Sequence, residues 1–391
     1  MTGPFDDQLI RAEAEGKLRR LREVASPQGR NIILEGRLAL QFCSNDYLGL
    51  CSHPKVTQAA RDCISEYGWG AGAARLISGA MTPHARLERA IALFLDKEAA
   101  LLFGSGYAAN TGVLTALAGR GAHIFADRLS HASIIDGALH SGAKLHRYEH
   151  NDPDSLAELL RAVPARGKRI VVTEGVFSMD GDISPLKQIV SVAKSHEAIM
   201  IVDDAHGFGL FGPQGRGSLH EAGVEGETDI HVVTLGKALG GFGGLVAASR
   251  RIIEGLINFS RPFIYSTALP PASSAAALAA LEIVQGEEGQ SRRQRLFRNA
   301  ASALAALNGA GLRASSMTQI IPVLVGESEV AAGLSTALLG KGIYIPAIRP
   351  PTVPPGGARL RLSVMSEHED EDFIKLKTAL EAIGPLPGEG D

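Results

Sequence analysis

The feature that most constrains this chain is an alternation that repeats between residues 99 and 235. Short apolar runs at 99–103, 123–126, 169–174, 198–202 and 230–235 each end in a polar or glycine-bearing turn. Segments with helical spacing fill the intervals, for example 106–117 and 185–195. A strand that is apolar at consecutive positions buries both of its faces. Strands of that kind separated by helices imply a parallel sheet covered on both sides, an α/β architecture. In such sheets ligands bind at the carboxyl ends of the strands. His131, Ser178, Asp203, His206 and Lys237 all fall at those ends.

A length of 391 residues leaves room for more than one domain. We expect a helical arm and hairpin over 1–44, a large domain over 45–270 and a smaller α+β domain over 271–391. In the arm, residues 7–24 read as one amphipathic helix, with Leu9, Ile10, Leu18 and Leu21 on a stripe. A hairpin turns at Glu35-Gly36. In the last third, strands are expected at 319–325, 343–348 and 360–364, with helices at 329–339 and 370–383. The formal net charge of −3 recommends neither nucleic acid nor an anionic membrane as a partner. The N-terminus lacks the basic flank and apolar core of a signal peptide, and the apolar region 275–284 is too short to span a bilayer. Cys43, Cys51 and Cys63 form no Cys-x-x-Cys pair. They argue against a disulfide framework or thiolate metal site and suit a reducing cytoplasm.

The run at 99–103 leads into Gly104-Ser105-Gly106-Tyr107-Ala108-Ala109-Asn110 and then a helix. A strand, a glycine turn and a helix N-terminus present free N–H groups and a positive dipole end to an anion, usually a phosphate. The same residues match a relaxed G-x-G-x-x-A dinucleotide fingerprint, with Asp127 about 20 residues on. Lys237 sits in Thr234-Leu235-Gly236-Lys237-Ala238-Leu239-Gly240-Gly241, with apolar and glycine neighbours and no nearby acid. It reads either as a snorkelling side chain at a tight strand–turn–strand or as a reactive amine, since a lysine removed from water yields its neutral form more readily. A Schiff-base lysine, a phosphate turn and a carboxylate at a strand end together fit pyridoxal 5'-phosphate. Asp203 is either the acid that holds the ring nitrogen protonated or a helix N-cap or structural carboxylate, His206 is a candidate donor to the phenolic oxygen, and His131 either stacks on the ring or is a satisfied structural histidine. Ser178 and Thr234 offer hydroxyls to the cofactor or serve as caps. Asp-x-x-His as half of a metal site lacks further ligands at suitable spacing.

Taken in order, Ser44-Asn45-Asp46-Tyr47-Leu48-Gly49-Leu50, the Gly104 turn, Ser130-His131-Ala132-Ser133, Asp203-Asp204-Ala205-His206-Gly207, Thr234-Leu235-Gly236-Lys237 and Arg349-Pro350-Pro351-Thr352-Val353-Pro354 resemble the α-oxoamine synthases. These are pyridoxal-phosphate enzymes of the aspartate-aminotransferase fold, fold type I, and the resemblance covers essentially the whole chain. It implies a mainly parallel sheet in the large domain and a homodimer with its active site at the subunit interface. It implies that Lys237 tethers the cofactor, that His131, Asp203, Ser178 and His206 contact its ring and substituents, and that Gly106, Tyr107 and Thr234 hold the phosphate region. Thr267 is implied to reach the partner's phosphate. Asn45 and Arg349 are implied to bind an amino-acid carboxylate, and Arg19 and Thr352 to line the path of the acyl donor. Residues 264–267 and 348–354 are most like the branch that joins L-alanine to a pimeloyl thioester. Sibling branches use glycine.

Overall fold

The structure is a computed structural model that describes residues 3–164 and 166–384. They form two compact units, one of residues up to 49, 179–182 and from 292 onward, the other of residues 50–178 and 183–291. The arm and the C-terminal segment, expected as separate pieces, therefore belong together, and residues 271–291 belong with the larger sheet.

The chain opens with α1 (Asp6–Ala14), shorter than the helix expected over 7–24. Gly16 lies at φ +62. Its N–H donates to the Glu13 carbonyl and the Lys17 N–H to the Ala12 carbonyl, the paired bonds that end a helix on a left-handed residue. Residues beyond it leave the helix, and Leu9, Ile10 and Leu21 are exposed. A hairpin of β1 (Asn31–Leu34) and β2 (Arg37–Gln41) follows. Glu35 and Gly36 both have positive φ, as a two-residue type I′ turn requires.

The larger unit begins with α2 (Pro54–Tyr67) and α3 (Thr82–Phe94). Its sheet is built by β3 (Ala99–Phe103), α4 (Gly106–Leu117), β4 (His123–Asp127), α5 (Ala132–Ser141), β5 (Lys144–Tyr148), α6 (Pro153–Ala162), β6 (Arg169–Glu174), α7 (Leu186–Ser195), β7 (Ile199–Asp203), α8 (Ser218–Ala222), β8 (Ile230–Thr234) and β9 (Gly244–Ala248). Helices α9 (Arg250–Phe259), α10 (Arg261–Ile264) and α11 (Pro271–Gln285) complete the unit. The seven strands run in the order β3-β9-β8-β7-β6-β4-β5. Strands β5, β4, β6, β7 and β8 are parallel, whereas β9 is antiparallel to both β8 and β3. The unit β5–α6 was not read from the sequence, because Lys144-Leu145-His146-Arg147-Tyr148 is too polar for a buried run. It is an edge strand, where one side needs no partner.

Side chains alternate across the sheet. Ile124, Ala126, Ile170, Val172 and Ile201 pack with α4, α5 and α9 on one face. Phe125, Val171, Met200 and Val202 pack with α6 and α7 on the other. Each such fully buried side chain contributes roughly 1.5–3 kcal/mol, so the strands cannot slip by one residue.

After α12 (Glu287–Gly309) come β10 (Ile320–Gly326), α13 (Ser328–Gly340), β11 (Ile343–Tyr344), β12 (Ala347–Ile348), β13 (Ala358–Ser363) and α14 (Asp370–Glu381). The single strand expected at 343–348 is split. Its first half joins β2 in parallel and its second half joins β13, and Pro346 between them has no N–H to continue a ladder. Among the described residues no helix is long and apolar enough to cross a membrane.

The turn that bears Lys237 links β8 to β9. It is closed by the Leu235 N–H on the Gly243 carbonyl, the Gly241 N–H on the Leu235 carbonyl and the Gly240 N–H on the Lys237 carbonyl. Gly240 has φ +62, and a Cβ there would lie 2.3 Å from the Cys51 nitrogen. Its lack of a side chain admits a neighbouring backbone. Gly223, after α8, has φ +65 and open space. Gly240→Ala should therefore cost about 2–5 kcal/mol, and Gly223→Ala only about 1–2 kcal/mol. Denaturant unfolding compares the two, and equal losses would show that Cys51 does not constrain the turn.

Candidate active site

The carboxyl ends of β6, β7 and β8, the loop after β4 and the start of α4 bring the polar groups of the larger unit together. Lys237 is half-buried, and its Nζ lies 2.8 Å from His206 Nε2. His206 is buried on the turn after β7. Asp203, the last residue of β7, is 6% exposed. Its Oδ1 accepts the Ala205 N–H at 3.0 Å, and its Oδ2 accepts Asn110 Nδ2 at 2.6 Å. The expected carboxylate is thus present, buried and oriented.

Glu174 ends β6 directly opposite Asp203 and is 3% exposed. Burial first, and the Asp203 charge second, push its carboxyl well above the usual value of 4.5. Its Oε1 accepts the His131 N–H at 2.6 Å. His131 is the N-cap of α5, and its Nδ1 accepts the Ser133 N–H at 3.2 Å and lies 2.8 Å from Ser133 Oγ. The residue as a whole is exposed. Lost hydration nonetheless lowers its pKa, Asp203 opposes that shift and Lys237 reinforces it. His131, Asp203, Glu174 and Lys237, from four separate elements, thus lie within electrostatic reach of one another.

The start of α4 supplies the anion end. Ser105 caps it by accepting the Ala108 N–H at 3.0 Å, which leaves the first turn's other N–H groups facing outward. Thr234 adjoins it. A Cβ at Gly106 would lie 3.6 Å from Thr234 Cβ, and Thr234 Oγ1 donates to the Gly243 carbonyl at 3.1 Å. Tyr107 is exposed, with its hydroxyl on Asp136 at 2.5 Å. Ser178 lies four residues past β6. Asp204, fully buried, accepts the Ser218 N–H at 2.8 Å and pairs with His231 Nε2 at 3.2 Å, which fixes the loop carrying His206. Thr267, exposed, bridges Ala74.

These groups fit pyridoxal phosphate on chemical grounds. An amine, a buried carboxylate, an imidazole and a helix N-terminus meet at one end of one sheet. The dinucleotide reading does not fit. Strand β3 lies at the sheet edge beside antiparallel β9, whereas that motif needs its strand among parallel neighbours at the crevice. Asp127 is consumed internally by the Leu129 and Asn151 N–H groups and His150 Nδ1. Among the described residues no three His, Cys, Asp or Glu side chains could hold a metal ion.

The other unit carries the remaining expected residues, in two places. Arg19 Nη2 lies 3.3 Å from Thr352 Oγ1, and Arg349 donates to the Gly16 carbonyl. Arg19, Arg349 and Thr352 line a cavity of about 530 Å³ with Lys17, Arg20 and Arg22, three basic groups that also pair with Glu15, Glu13 and Glu35. Asn45 lies elsewhere in that unit. Its Oδ1 accepts the hydroxyl of fully buried Tyr47 at 3.1 Å, and Arg361 and Gln319 also hydrogen-bond that hydroxyl. The guanidinium that shares the Asn45 cluster is thus Arg361, which sequence reasoning missed. Its signal was an arginine inside β13, all six residues of which are buried. Asn110 and Glu174 were missed as functional groups because a helix amide and a strand-end acid look structural.

Comparison with known proteins adds three likenesses. A model of the class I and II aminotransferases matches residues 39–380. An 8-amino-7-oxononanoate synthase from Trichlorobacter lovleyi is 50% identical over 383 residues, covering 97% of each chain, and one from Geobacter sulfurreducens is 48% identical over 385 residues, covering 98% of each. A solved serine palmitoyltransferase variant from S. paucimobilis with a bound PLP–myriocin aldimine is 31% identical with a TM-score of 0.92, covering 97% of each chain.

The raised Glu174 pKa has a consequence for stability. The folded chain keeps this proton to a higher pH than the unfolded chain does, so the stability it supplies is complete below pH 4.5 and is lost as pH rises through the folded value. Glu174→Gln retains an acceptor for the His131 N–H and cannot ionise. In the cofactor-free chain the Tm of the variant relative to the parent should rise steadily from pH 4.5 toward neutrality. Parallel curves would contradict the assignment.

Proposed function

From its place in the class I and II aminotransferase family, to which this chain belongs, we infer that it carries the 8-amino-7-oxononanoate synthase activity of biotin synthesis. The observation that carries this reading is the convergence of Lys237, His206, Asp203 and His131 at the strand ends, in a chain near half-identical over its full length to synthases of that name. The reaction joins L-alanine to a pimeloyl thioester. The α-carbon of alanine displaces the thiol, coenzyme A or an acyl carrier protein, and the alanine carboxyl leaves as carbon dioxide.

Bound pyridoxal phosphate supplies the electron sink for the carbanion at the alanine α-carbon. The chain's own groups do the rest. Lys237 would tether the cofactor, and its amine, once alanine had taken its place, would accept the α-proton. His206, 2.8 Å from that amine, orients it and shares its proton. Asp203 would hold the proton on the ring nitrogen. His131 would cover one ring face. Ser178 and His206 would serve the ring's oxygen substituent, and Gly106, Tyr107 and Thr234 would hold the phosphate. The Asn45–Tyr47–Arg361 cluster, with Tyr47 and Arg361 buried and Asn45 exposed, suits the amino-acid carboxylate, since a fixed guanidinium binds it through two hydrogen bonds. Arg349, assigned with Asn45 from the sequence, lies instead with Arg19 and Thr352 in the basic cavity, which suits the anionic parts of the acyl donor. The protein acts as a cytoplasmic homodimer whose exposed arm residues Leu9, Ile10 and Leu21 are covered by the second copy, and Thr267 reaches toward the partner's cofactor.

Purified holoenzyme given L-alanine and pimeloyl-coenzyme A should form 8-amino-7-oxononanoate, read by mass spectrometry. Turnover only with glycine and a shorter acyl thioester would replace this reading with a sibling activity. Arg361→Lys should raise the KM for alanine by roughly 10-fold or more, the worth of a bond to a charged group, and Arg349→Ala should raise chiefly that for the thioester. The reverse pattern would return the carboxylate to Arg349.

A further inference from the structure

Asn110 belongs to no contact that the proposed chemistry uses, yet it is 3% exposed and touches two groups that matter. Its Nδ2 donates to Asp203 Oδ2 at 2.6 Å and to Ser133 Oγ at 2.9 Å. Ser133 is fully buried, and its Oγ lies 2.8 Å from His131 Nδ1. The direction of every bond follows from donor chemistry. A carboxylate only accepts, so the Asn110 amide must turn its NH2 toward Asp203, and its second hydrogen then points at Ser133. Nδ1 accepts the Ser133 backbone N–H at 3.2 Å, which makes it an acceptor, so the Ser133 hydroxyl beside it is the donor. Nδ1 is therefore bare, and the ring proton sits on Nε2.

We propose that Asn110 and Ser133 are positioning residues that join Asp203 and His131 into one directional hydrogen-bonded unit, so that the acid at the cofactor's ring nitrogen and the imidazole on its face are set together. The unit spans α4, α5 and β7, and it presents a neutral Nε2–H donor above the ring, suited to the carbonyl oxygen of an incoming thioester. The charged groups that face His131 are Asp203, Lys237 and Asp136, with Glu174 on its backbone N–H. Asn110 ties the first of these to the ring's tautomer. The assignment of Asp203 and His131 to a cofactor rests on the functional reading above, whereas the relay itself does not.

Asn110→Asp tests it, because the side chain keeps its shape and exchanges a donor for an acceptor beside Asp203. The Ser133 hydroxyl should then turn to the new carboxylate and leave Nδ1 with only the long backbone bond. In the full-length chain labelled with 15N-histidine and free of cofactor, the parent should show bare Nδ1 and protonated Nε2 on His131, identified by the signals lost in His131→Gln. Asn110→Asp should populate the other tautomer or the doubly protonated ring at the same pH. Both Asn110→Asp and Asn110→Ala should weaken pyridoxal-phosphate binding by roughly 10- to 100-fold, the worth of one hydrogen bond to a charged acceptor. The loss in the double variant Asn110→Ala, His131→Ala should fall short of the product of the single losses. Unchanged His131 signals in a natively folded Asn110→Asp, or multiplicative losses in binding, would overturn the proposal. If Asn110→Asp does not fold, Ser133→Ala removes the same short donor while keeping the Asn110–Asp203 bond, and unchanged signals there overturn it equally. Signals that respond in a chain that takes up no pyridoxal phosphate would support the relay and sink the functional reading instead.

Discussion

Everything at this site depends on a carboxylate buried at the end of a parallel strand. An ionised group out of water is costly unless it is paired and hydrogen-bonded. Asp203 meets that requirement with a backbone N–H and the Asn110 amide. Its neighbour across the ladder is another acid, Glu174, and two carboxylates at that spacing do not both ionise cheaply. Burial and the Asp203 charge raise the Glu174 carboxyl well above its ordinary value, and its Oε1 accepts the His131 N–H. One acid thus stays available for chemistry while the other positions the imidazole.

The parallel sheet is what makes this arrangement possible. Because β6, β7 and β8 run the same way, their last residues and following turns lie side by side, and the chain can gather groups more than 100 positions apart in sequence. The antiparallel return through β9 then makes the Lys237 turn a rigid loop between two paired strands. The glycines of this turn look in the sequence like an opening for a flat ligand. At Gly240 the close neighbour is the Cys51 backbone, so this glycine serves the fixed position of the lysine.

Much of this was legible in the sequence, for identifiable reasons. The five apolar runs gave themselves away because strands buried on both faces need no alternation, and all five are strands in one sheet. The hairpin at Glu35-Gly36 followed from turn chemistry. Strand β5 was hidden because an edge strand can be polar. The extent of α1 was misjudged because the stripe of leucines outweighed Gly16, whose positive φ ends the helix. At the site, the lysine, the acid, both histidines and the phosphate turn could be named because each is a rare residue type for its setting. Asn110, Glu174 and Arg361 could not. Their roles come from what they touch, and hydrogen-bond partners 23 and 93 residues away for Asn110 leave no local pattern.

The central claim is that Lys237, alone among the lysines, is the amine that holds the cofactor. Borohydride reduction of the holoenzyme followed by peptide mass mapping measures this directly. A single pyridoxyl group on the peptide containing Lys237 is the predicted result. Attachment at another lysine, or no stable attachment in a folded and saturated chain, would contradict the account.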